Sequence, residues 1–310
     1  MKQDAHLVSL PWADYELLDS GENMKLERFG AIVLARPETQ ALWTKKRPGL
    51  WETAHATFSF EDKKGQWDMK KSVPESWELS RGPIHFLARL TSFKHTGIFP
   101  EQEPNWVWIK DQVKSLQEIA RKQSGRPEGG DPRTFSQQAT GVNILNLFGY
   151  TGIATLAAAH PGASVTHVDA SKQSLDWAHE NARLSKIPED KIRWIPDDAL
   201  AFVKREVRRG AKYDGIILDP PAFGRGAKGE VWKIEEDFPA LLQSLKEIFS
   251  DKPGSFFLIN GYAAGYAPRS FAQAVESVFG EVNGESGELH IKEVSSERVI
   301  PSGIYVRFVR

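Results

Sequence analysis

The pattern of hydrophobic and polar positions changes near residue 100. Before that point, short apolar segments at 31–34, 57–60, 77–79 and 84–90 are separated by turns rich in glycine, proline and lysine, and no long helical period is visible. Short strands bounded by such turns are typical of antiparallel sheets. The pattern predicts a small, mostly-β N-terminal domain over residues 1–100.

One amphipathic helix follows this domain. Its apolar positions recur at steps of three and four residues and are Trp106, Ile109, Val113, Leu116 and Ala120. The stretch 123–138 is rich in glycine, proline and serine, a composition typical of flexible linkers. We therefore predict that residues 101–140 form a helix and a linker.

From residue 141 to 310, apolar strands alternate regularly with helices. The strands are predicted near 142–148, 164–168, 191–195, 213–218 and 254–260, and the helices near 151–160, 171–186, 198–209, 234–249 and 268–279. Two last strands, 289–294 and 304–309, have only a polar stretch between them, so they pair antiparallel. The alternation predicts an α/β fold with a seven-stranded, mostly parallel sheet.

A glycine turn and a carboxylate follow the first two strands of this alternation. The turn reads Gly149-Tyr-Thr-Gly152, and Asp169 ends the next strand. Such a turn lets the backbone approach a nucleotide-type cofactor, and the acid accepts hydrogen bonds from the ribose. A dinucleotide site needs a third glycine, so that a pyrophosphate can rest on backbone N–H groups. S-adenosylmethionine, which has no phosphate, fits better than a nicotinamide cofactor, while a purely structural glycine turn remains the alternative.

A second candidate element is the loop Asp219-Pro-Pro-Ala-Phe223, which also follows an apolar strand. Two prolines make a stiff loop, so Asp219 and the carbonyl of Pro220 face outward as acceptors at the carboxyl end of a strand. These acceptors suit an amine on a planar ring, on which Phe223 stacks. The alternative is a rigid turn with a helix-capping Asp. The order and spacing of the two elements favour a methyl-transfer site.

The C-terminal part resembles the class I S-adenosylmethionine-dependent methyltransferases with their Rossmann-like sheet. It is most similar to the bacterial 23S ribosomal RNA methyltransferases that modify cytosine C5 or guanine N7. The segments that carry the resemblance are 146–152, 168–171, 196–199 and 218–223. A fifth, 95–102, is similar to a Gly-x-Phe-Leu-Asp-Gln-Arg element of that family. Here Pro100 replaces an aliphatic residue, Glu101 replaces Asp, and Glu103 stands where the family has Arg.

These elements and the resemblance assign roles to individual residues. The predicted cofactor-binding residues are Phe99, Gln102, Asn146, Phe148, Gly149, Tyr150, Thr151, Gly152, Asp169, Ala170, Ser171, Asp198, Ala199, Asp219 and Pro221. The predicted catalytic residues are Asp219, Pro220 and Phe223, and no metal ligand is assigned.

Three features have competing interpretations, namely the acids after the third strand, His95 and the loop 224–229. Asp198 accepts the adenine amine and Ala199 N–H donates to a ring nitrogen, but Asp197 competes for the first role, and Asp198 also suits a plain helix N-cap. His95 is a possible base or a structural residue. The glycine-rich, basic loop 224–229 either orders over a phosphate or base or is simply flexible.

Composition limits the partners. Forty basic and 41 acidic residues give a net charge of −1, so no global basic field marks a nucleic-acid binder. Local clusters at 45–47, 63–64, 70–71 and 204–209 are either solvated faces or RNA contacts.

Five tryptophans of the N-terminal domain offer either base stacking or core packing, and they are Trp12, Trp43, Trp51, Trp67 and Trp77. No membrane-spanning run or signal segment is visible, so a soluble, cytoplasmic protein is expected.

The chain contains no cysteine. Methylation of cytosine C5 needs a nucleophile that adds to C6, and thiolate does this in the cytosine-5 members of the family. That route is closed here, whereas transfer to a nitrogen lone pair needs only desolvation and alignment. We therefore predict methylation of a base nitrogen, guanine favoured, in structured ribosomal RNA. The alternatives are a protein side chain, a small amine, or a catalytically idle RNA-binding factor.

Overall fold

Two large β-sheets and two two-stranded sheets organise the described residues. The computed structural model describes residues 1–61, 64–123, 141–225, 229–262 and 265–310. The strands are β1 (Lys2–Ser9), β2 (Tyr15–Gly21), β3 (Met24–Phe29), β4 (Ile32–Pro37), β5 (Ala56–Glu61), β6 (Lys64–Met69), β7 (Trp77–Arg81), β8 (Ile84–Ala88), β9 (Asn143–Leu147), β10 (Ser164–Asp169), β11 (Ile192–Pro196), β12 (Gly215–Leu218), β13 (Phe223–Arg225), β14 (Val231–Lys233), β15 (Phe256–Gly261), β16 (Gly284–Lys292) and β17 (Val299–Val309). The helices are α1 (Glu103–Gln123), α2 (Ile153–Ala159), α3 (Lys172–Leu184), α4 (Ala199–Arg208), α5 (Ile234–Ile248) and α6 (Pro268–Phe279).

The larger sheet has the strand order β1-β16-β17-β15-β12-β9-β10-β11. Its central strands β9, β10, β12 and β15 are parallel and almost wholly buried, because helices cover both faces. Strand β17 runs antiparallel to β15 and β16, as predicted from the missing crossover helix. All seven predicted strands are present in this sheet.

The sheet also contains an eighth strand that the sequence analysis did not predict. Strand β1 lies at the edge and pairs parallel with β16. The N-terminal unit predicted over residues 1–100 therefore includes a strand that belongs to the larger sheet. An edge strand needs little apolar surface, and β1 is defined by a partner at the other end of the chain, so local pattern could not identify it.

The N-terminal sheet contains β2, β3, β4, β5 and β6 in that order, all antiparallel except the pair β4–β5. The hairpin β7–β8 joins this unit to the rest, since Ser185 Oγ and Asn181 Oδ1 accept hydrogen bonds from the backbone N–H groups of His85 and Leu87, each at 2.9 Å. Phe86 of the hairpin lies in one apolar cluster with residues of α1 and α2.

Helix α1 carries the predicted stripe on its buried face. Trp106, Ile109, Val113 and Leu116 are buried, whereas Ala120 is half-buried. Beyond Gln123, the predicted linker lies outside the described residues. No helix in the described ranges is both long and apolar enough to cross a membrane.

Candidate active site

The carboxyl ends of β9, β10 and β12 open into a cleft of about 1230 Å³. This is the edge at which parallel α/β sheets bind ligands. Most of the predicted site residues line it, namely Phe99, Phe148, Tyr150, Asp169, Ala170, Ser171, Asp198, Ala199, Asp219, Pro220 and Pro221. His95 lines it as well. The structure thus brings together elements that are far apart in sequence.

Six predicted residues are absent from the lining, namely Gln102, Asn146, Gly149, Thr151, Gly152 and Phe223. Asn146 is buried and donates to Thr155 Oγ1 at 2.8 Å, and Thr151 Oγ1 donates to the Gly97 carbonyl at 2.7 Å. The second bond ties the segment that begins at Gly97 to the glycine turn. Phe223 is 54% exposed at the start of β13. These residues support the cleft or flank it.

The glycines of the turn are required by packing. A Cβ at Gly149 would overlap the imidazole of His167, and Gly152 combines a φ of +84° with a Cβ position 3.0 Å from Ala178 Cβ. Phe148 and Tyr150 also take left-handed φ values of 56° and 48°. Non-glycine residues keep such conformations only where their surroundings fix them. The glycines were predicted to let a ligand approach, whereas their immediate constraint is packing against the protein's own interior.

Asp169 is held from two sides at the end of β10. Its Oδ2 accepts from the backbone N–H of Tyr150 and its Oδ1 from that of Ser171, both at 2.8 Å. Burial raises the pKa of Asp169, and the two backbone hydrogen bonds work against that rise. Because Tyr150 N–H already has a partner, it is not free for a pyrophosphate. This observation fits a cofactor without phosphate, and each carboxylate oxygen keeps a lone pair for a ribose hydroxyl.

The two neighbouring acids after β11 have different partners. Asp198 is the N-cap of α4 and accepts from Ala201 N–H at 2.8 Å. Asp197 forms an ion pair with Arg205 and accepts from the N–H of Asp198 at 3.0 Å. Asp198 therefore does act as a helix cap, but it has no cation of its own among the described residues and its second oxygen is left for a ligand.

Asp219 lies beside a second carboxylate that the sequence analysis did not assign. Burial, and next the charge of Glu101, raise the pKa of Asp219 to about 7. Burial also raises the pKa of Glu101, while the Lys25 ammonium opposes the rise. No hydrogen bond between the Asp219 carboxylate and another described residue is formed. The cleft therefore presents the carboxylates of Asp219 and Glu101 as two neighbouring hydrogen-bond acceptors.

A chain of buried amides fixes the Glu101 side. Asn105 Nδ2 donates to Gln102 Oε1 at 3.0 Å and to Asn260 Oδ1 at 2.9 Å. Gln102 must then turn its amide nitrogen to the Tyr262 hydroxyl, which accepts at 2.6 Å. Burial, and next the charge of Glu101, raise the pKa of the Tyr262 hydroxyl. Gln102, predicted to bind the cofactor, does not line the cleft and instead contacts Tyr262 and Asn105.

The N-terminal part of the chain lines one wall of the cleft. Its cations are scattered in sequence and include Lys25, Arg36, Arg89 and Lys94. Burial, and next the charge of Lys25, lower the pKa of Lys94. Arg36 pairs with the buried Glu27 at 2.6 Å, and Lys25 pairs with Glu38 at 3.3 Å, so both cations already have carboxylate partners. Sequence reasoning looked for runs of basic residues and so missed this wall.

His95 lies on the same wall as a neutral group. Burial lowers its pKa to about 4, and the charges of Arg36 and Lys94 add to the effect. A base with this pKa is weak near neutral pH. The ring also packs against Phe99, with centroids 5.1 Å apart. The geometry favours the structural interpretation of His95.

The five tryptophans favour the core-packing interpretation. Trp12 is buried and the other four are half-buried. Four indole N–H groups donate within the domain: Trp43 to Ser20, Trp51 to Asp19, Trp67 to the Thr91 carbonyl and Trp77 to the Phe29 carbonyl. Among the predicted basic clusters, Lys45 pairs with Glu22 and Arg209 with Glu206. Of the loop 224–229, residues 226–228 lie outside the described ranges, as does Lys63.

Sequence comparison relates the chain to methyltransferases. A family described as S-adenosylmethionine-dependent methyltransferase matches residues 130–275. The ribosomal RNA large subunit methyltransferase K/L of Stutzerimonas stutzeri is 33% identical over 179 residues, which are 57% of this chain and 21% of that protein. The protein of the same name from Syntrophotalea carbinolica is 33% identical over 150 residues, 48% of this chain and 17% of that protein. The chain spans about a fifth of the length of these curated relatives.

Structural comparison covers nearly the whole chain. The crystal structure of the S-adenosylmethionine-dependent methyltransferase from Agrobacterium tumefaciens is 36% identical and covers 99% of this chain and 95% of its own, with a TM-score of 0.86. A putative S-adenosylmethionine-dependent methyltransferase from Streptococcus mutans is 18% identical, covers 96% of this chain and 75% of its own, and shares the fold with a TM-score of 0.69. The predicted fold class and its methyltransferase resemblance are confirmed.

Proposed function

The chain belongs to the S-adenosylmethionine-dependent methyltransferases, and we propose that it methylates a base nitrogen, guanine favoured, in structured ribosomal RNA. One observation carries the proposal: the cleft combines an acidic acceptor point at Asp219 and Glu101 with a wall that carries Lys25, Arg36 and Lys94, of which Lys94 forms no ion pair with a described carboxylate and is available to a phosphate. A nucleotide has both complements, an amine-bearing base and a phosphate. A small amine has no use for the basic wall.

The size of the cleft supports two occupants. A pocket for a single drug-sized ligand measures about 300–1000 Å³, and this cleft measures about 1230 Å³. The part between the glycine turn and α4 suits the cofactor, with Asp169 on the ribose and Asp198 and the Ala199 N–H on the adenine. The part between Asp219 and the N-terminal domain is left for the acceptor base.

Bound S-adenosylmethionine supplies an electrophilic methyl group on its sulfonium. The chain's own residues align the acceptor with it. The Asp219 carboxylate and the Pro220 carbonyl accept hydrogen bonds from the amine edge of the base and hold its nitrogen in line, which is worth several kcal/mol of the barrier. Where the accepting nitrogen carries a proton, a carboxylate with a pKa of about 7 takes it near neutral pH. At the rim, the Arg225 guanidinium carbon lies 5.9 Å from the centroid of the Phe223 ring. Together these two side chains offer a stacking surface for a neighbouring base.

We also propose that residues 1–100 recognise the RNA and that residues 141–310 carry out the transfer. The product of this reaction is methylated ribosomal RNA in the cytoplasm. The separation is one of roles, since β1 belongs to the larger sheet and Lys25 and Arg36 reach into the shared cleft.

The test is transfer of tritium from labelled S-adenosylmethionine onto ribosomal RNA, transfer RNA, protein and metabolite pools from a deletion strain. We expect label in ribosomal RNA, at a guanine found by nuclease digestion and mass spectrometry, and salt-sensitive RNA binding. The variant Asp219→Asn should incorporate at least roughly tenfold less label than the wild type. Label on a protein or small metabolite, with binding indifferent to salt, would end the RNA proposal and leave the family assignment intact.

A further inference from the structure

Three potential metal ligands lie on one face of the larger sheet, where the N-terminal edge strand joins it. In the parallel pairing of β1 with β16, His6 lies opposite Glu288, and Val8 lies opposite His290. Glu288 and His290 are two residues apart, so their side chains leave β16 on the same face. Glu288 also lines the methyl-transfer cleft, whereas His6 and His290 do not, and none of the three has been given a role in methyl transfer.

Their side chains converge on one carboxylate oxygen. Glu288 Oε2 lies 2.9 Å from His290 Nε2 and 3.9 Å from His6 Nδ1. All three candidate ligand atoms lie within 4.8 Å of one another. His290 is nearly buried, with 11% of its side chain exposed, whereas His6 is 54% exposed. The cluster is therefore anchored at one end and open to ions in solution at the other.

The spacing matches a tetrahedral zinc ion. Zinc binds imidazole nitrogen at about 2.0–2.1 Å and carboxylate oxygen at a similar length, which puts neighbouring ligand atoms about 3.3 Å apart and two ligating imidazole rings about 5 Å apart. The distances from Glu288 Oε2 to the two histidine nitrogens, 2.9 Å and 3.9 Å, lie on either side of the ligand spacing of about 3.3 Å. The ring centroids of His6 and His290 are 4.9 Å apart. The ligand atoms lie up to 4.8 Å apart and the two imidazole rings are stacked, so the side chains must rotate for all three ligand atoms to reach one ion.

We propose that His6, Glu288 and His290 bind one Zn²⁺ ion, with water in the fourth position. Two histidines and one carboxylate form a ligand set that zinc uses in proteins. Because His6 lies on β1 and the other two ligands on β16, the ion links the edge strand to its partner. Strand β1 is paired on one side only, so this link stabilises the attachment of the N-terminus to the larger sheet.

The experiment uses the full chain after dialysis against EDTA and then into metal-free buffer near pH 7. Isothermal titration with ZnCl₂ should give one site per chain, and Co²⁺ should give the visible absorption of a tetrahedral site. His6→Asn should weaken Zn²⁺ binding at least roughly tenfold, because it removes one of three protein ligands. His6 is exposed, so this variant keeps the fold; Glu288→Gln is the second variant and should weaken binding similarly.

The matched control is His160→Asn, which removes another exposed imidazole far from the cluster, just after α2. It should bind Zn²⁺ like the wild type. Hydrogen exchange of residues 2–9 should slow with Zn²⁺ in the wild type and not in His6→Asn. Absence of saturable Zn²⁺ binding, or equal affinity in the wild type and His6→Asn, would overturn the proposal. Neither readout uses RNA or methyl transfer, so the result is independent of the proposed function.

Discussion

Replacing Asp219 by Asn should stabilise the folded chain above neutral pH while it slows methyl transfer. Burial, and then the charge of Glu101, raise the pKa of Asp219 from 3.8 to about 7 in the folded state. In the unfolded chain the same carboxyl ionises near pH 4, at about its ordinary pKa. Between about pH 4 and 7 the folded state therefore binds more protons than the unfolded state, and the free energy of unfolding falls as the pH rises.

The size of the effect follows from the same shift. Each pKa unit corresponds to about 1.4 kcal/mol. Between pH 5 and pH 7 the free energy of unfolding can therefore fall by at most about 2.7 kcal/mol. The carboxyl lines an open cleft, and solvent screening reduces this to about 1–2 kcal/mol. Asn has nearly the same shape and no charge. The advantage of Asp219→Asn over the wild type should therefore grow by about 1–2 kcal/mol between pH 5 and pH 8.

Urea unfolding of both proteins at several pH values, followed by tryptophan fluorescence, measures this difference. Asp68→Asn, at an exposed position of β6, controls for the loss of one acidic group. In the same preparations, Asp219→Asn should lower turnover at least roughly tenfold while the cofactor affinity changes much less. An equal stability difference at pH 5 and pH 8 would refute the account of two buried carboxylates at the acceptor point.

The remaining predictions concern the cofactor, the rim, the turn and the target atom. Asp169→Ala should weaken S-adenosylmethionine binding by about 2 kcal/mol, as for a lost charge-assisted hydrogen bond; unchanged affinity in calorimetry would remove Asp169 from the cofactor site. Phe223→Ala should weaken RNA binding by about 1–3 kcal/mol if a base stacks there, and a filter-binding assay with no change would exclude stacking. Gly149→Ala should lower the melting temperature, because its Cβ would overlap the His167 ring, whereas Gly49→Ala, with open space around it, should not; equal melting temperatures would contradict this. No denaturation-resistant adduct should form with 5-fluorocytosine RNA, because the chain has no cysteine; a trapped complex would overturn the choice of a nitrogen acceptor.

Sequence alone determined the framework of the methyltransferase unit. Helix α6 begins and ends at the predicted residues, and the other helices and the parallel strands of this unit differ from prediction by at most a few residues. This success has a physical cause. Strands buried on both faces and amphipathic helices each carry a local periodic signature. The acids Asp169 and Asp219 were found for the same reason, since the carboxyl end of a parallel strand is readable from the sequence.

Only the tertiary structure decided the rest. It placed Glu101 and Tyr262 in the same cleft as Asp219, lined one wall of that cleft with cations isolated in sequence, and paired β1 with β16. It also showed that Gly149 is required by the His167 ring, where sequence suggested a ligand. These features depend on contacts between residues far apart along the chain. Local patterns specify what a segment can form, whereas side-chain neighbours, burial and the resulting pKa values exist only once the segments have packed.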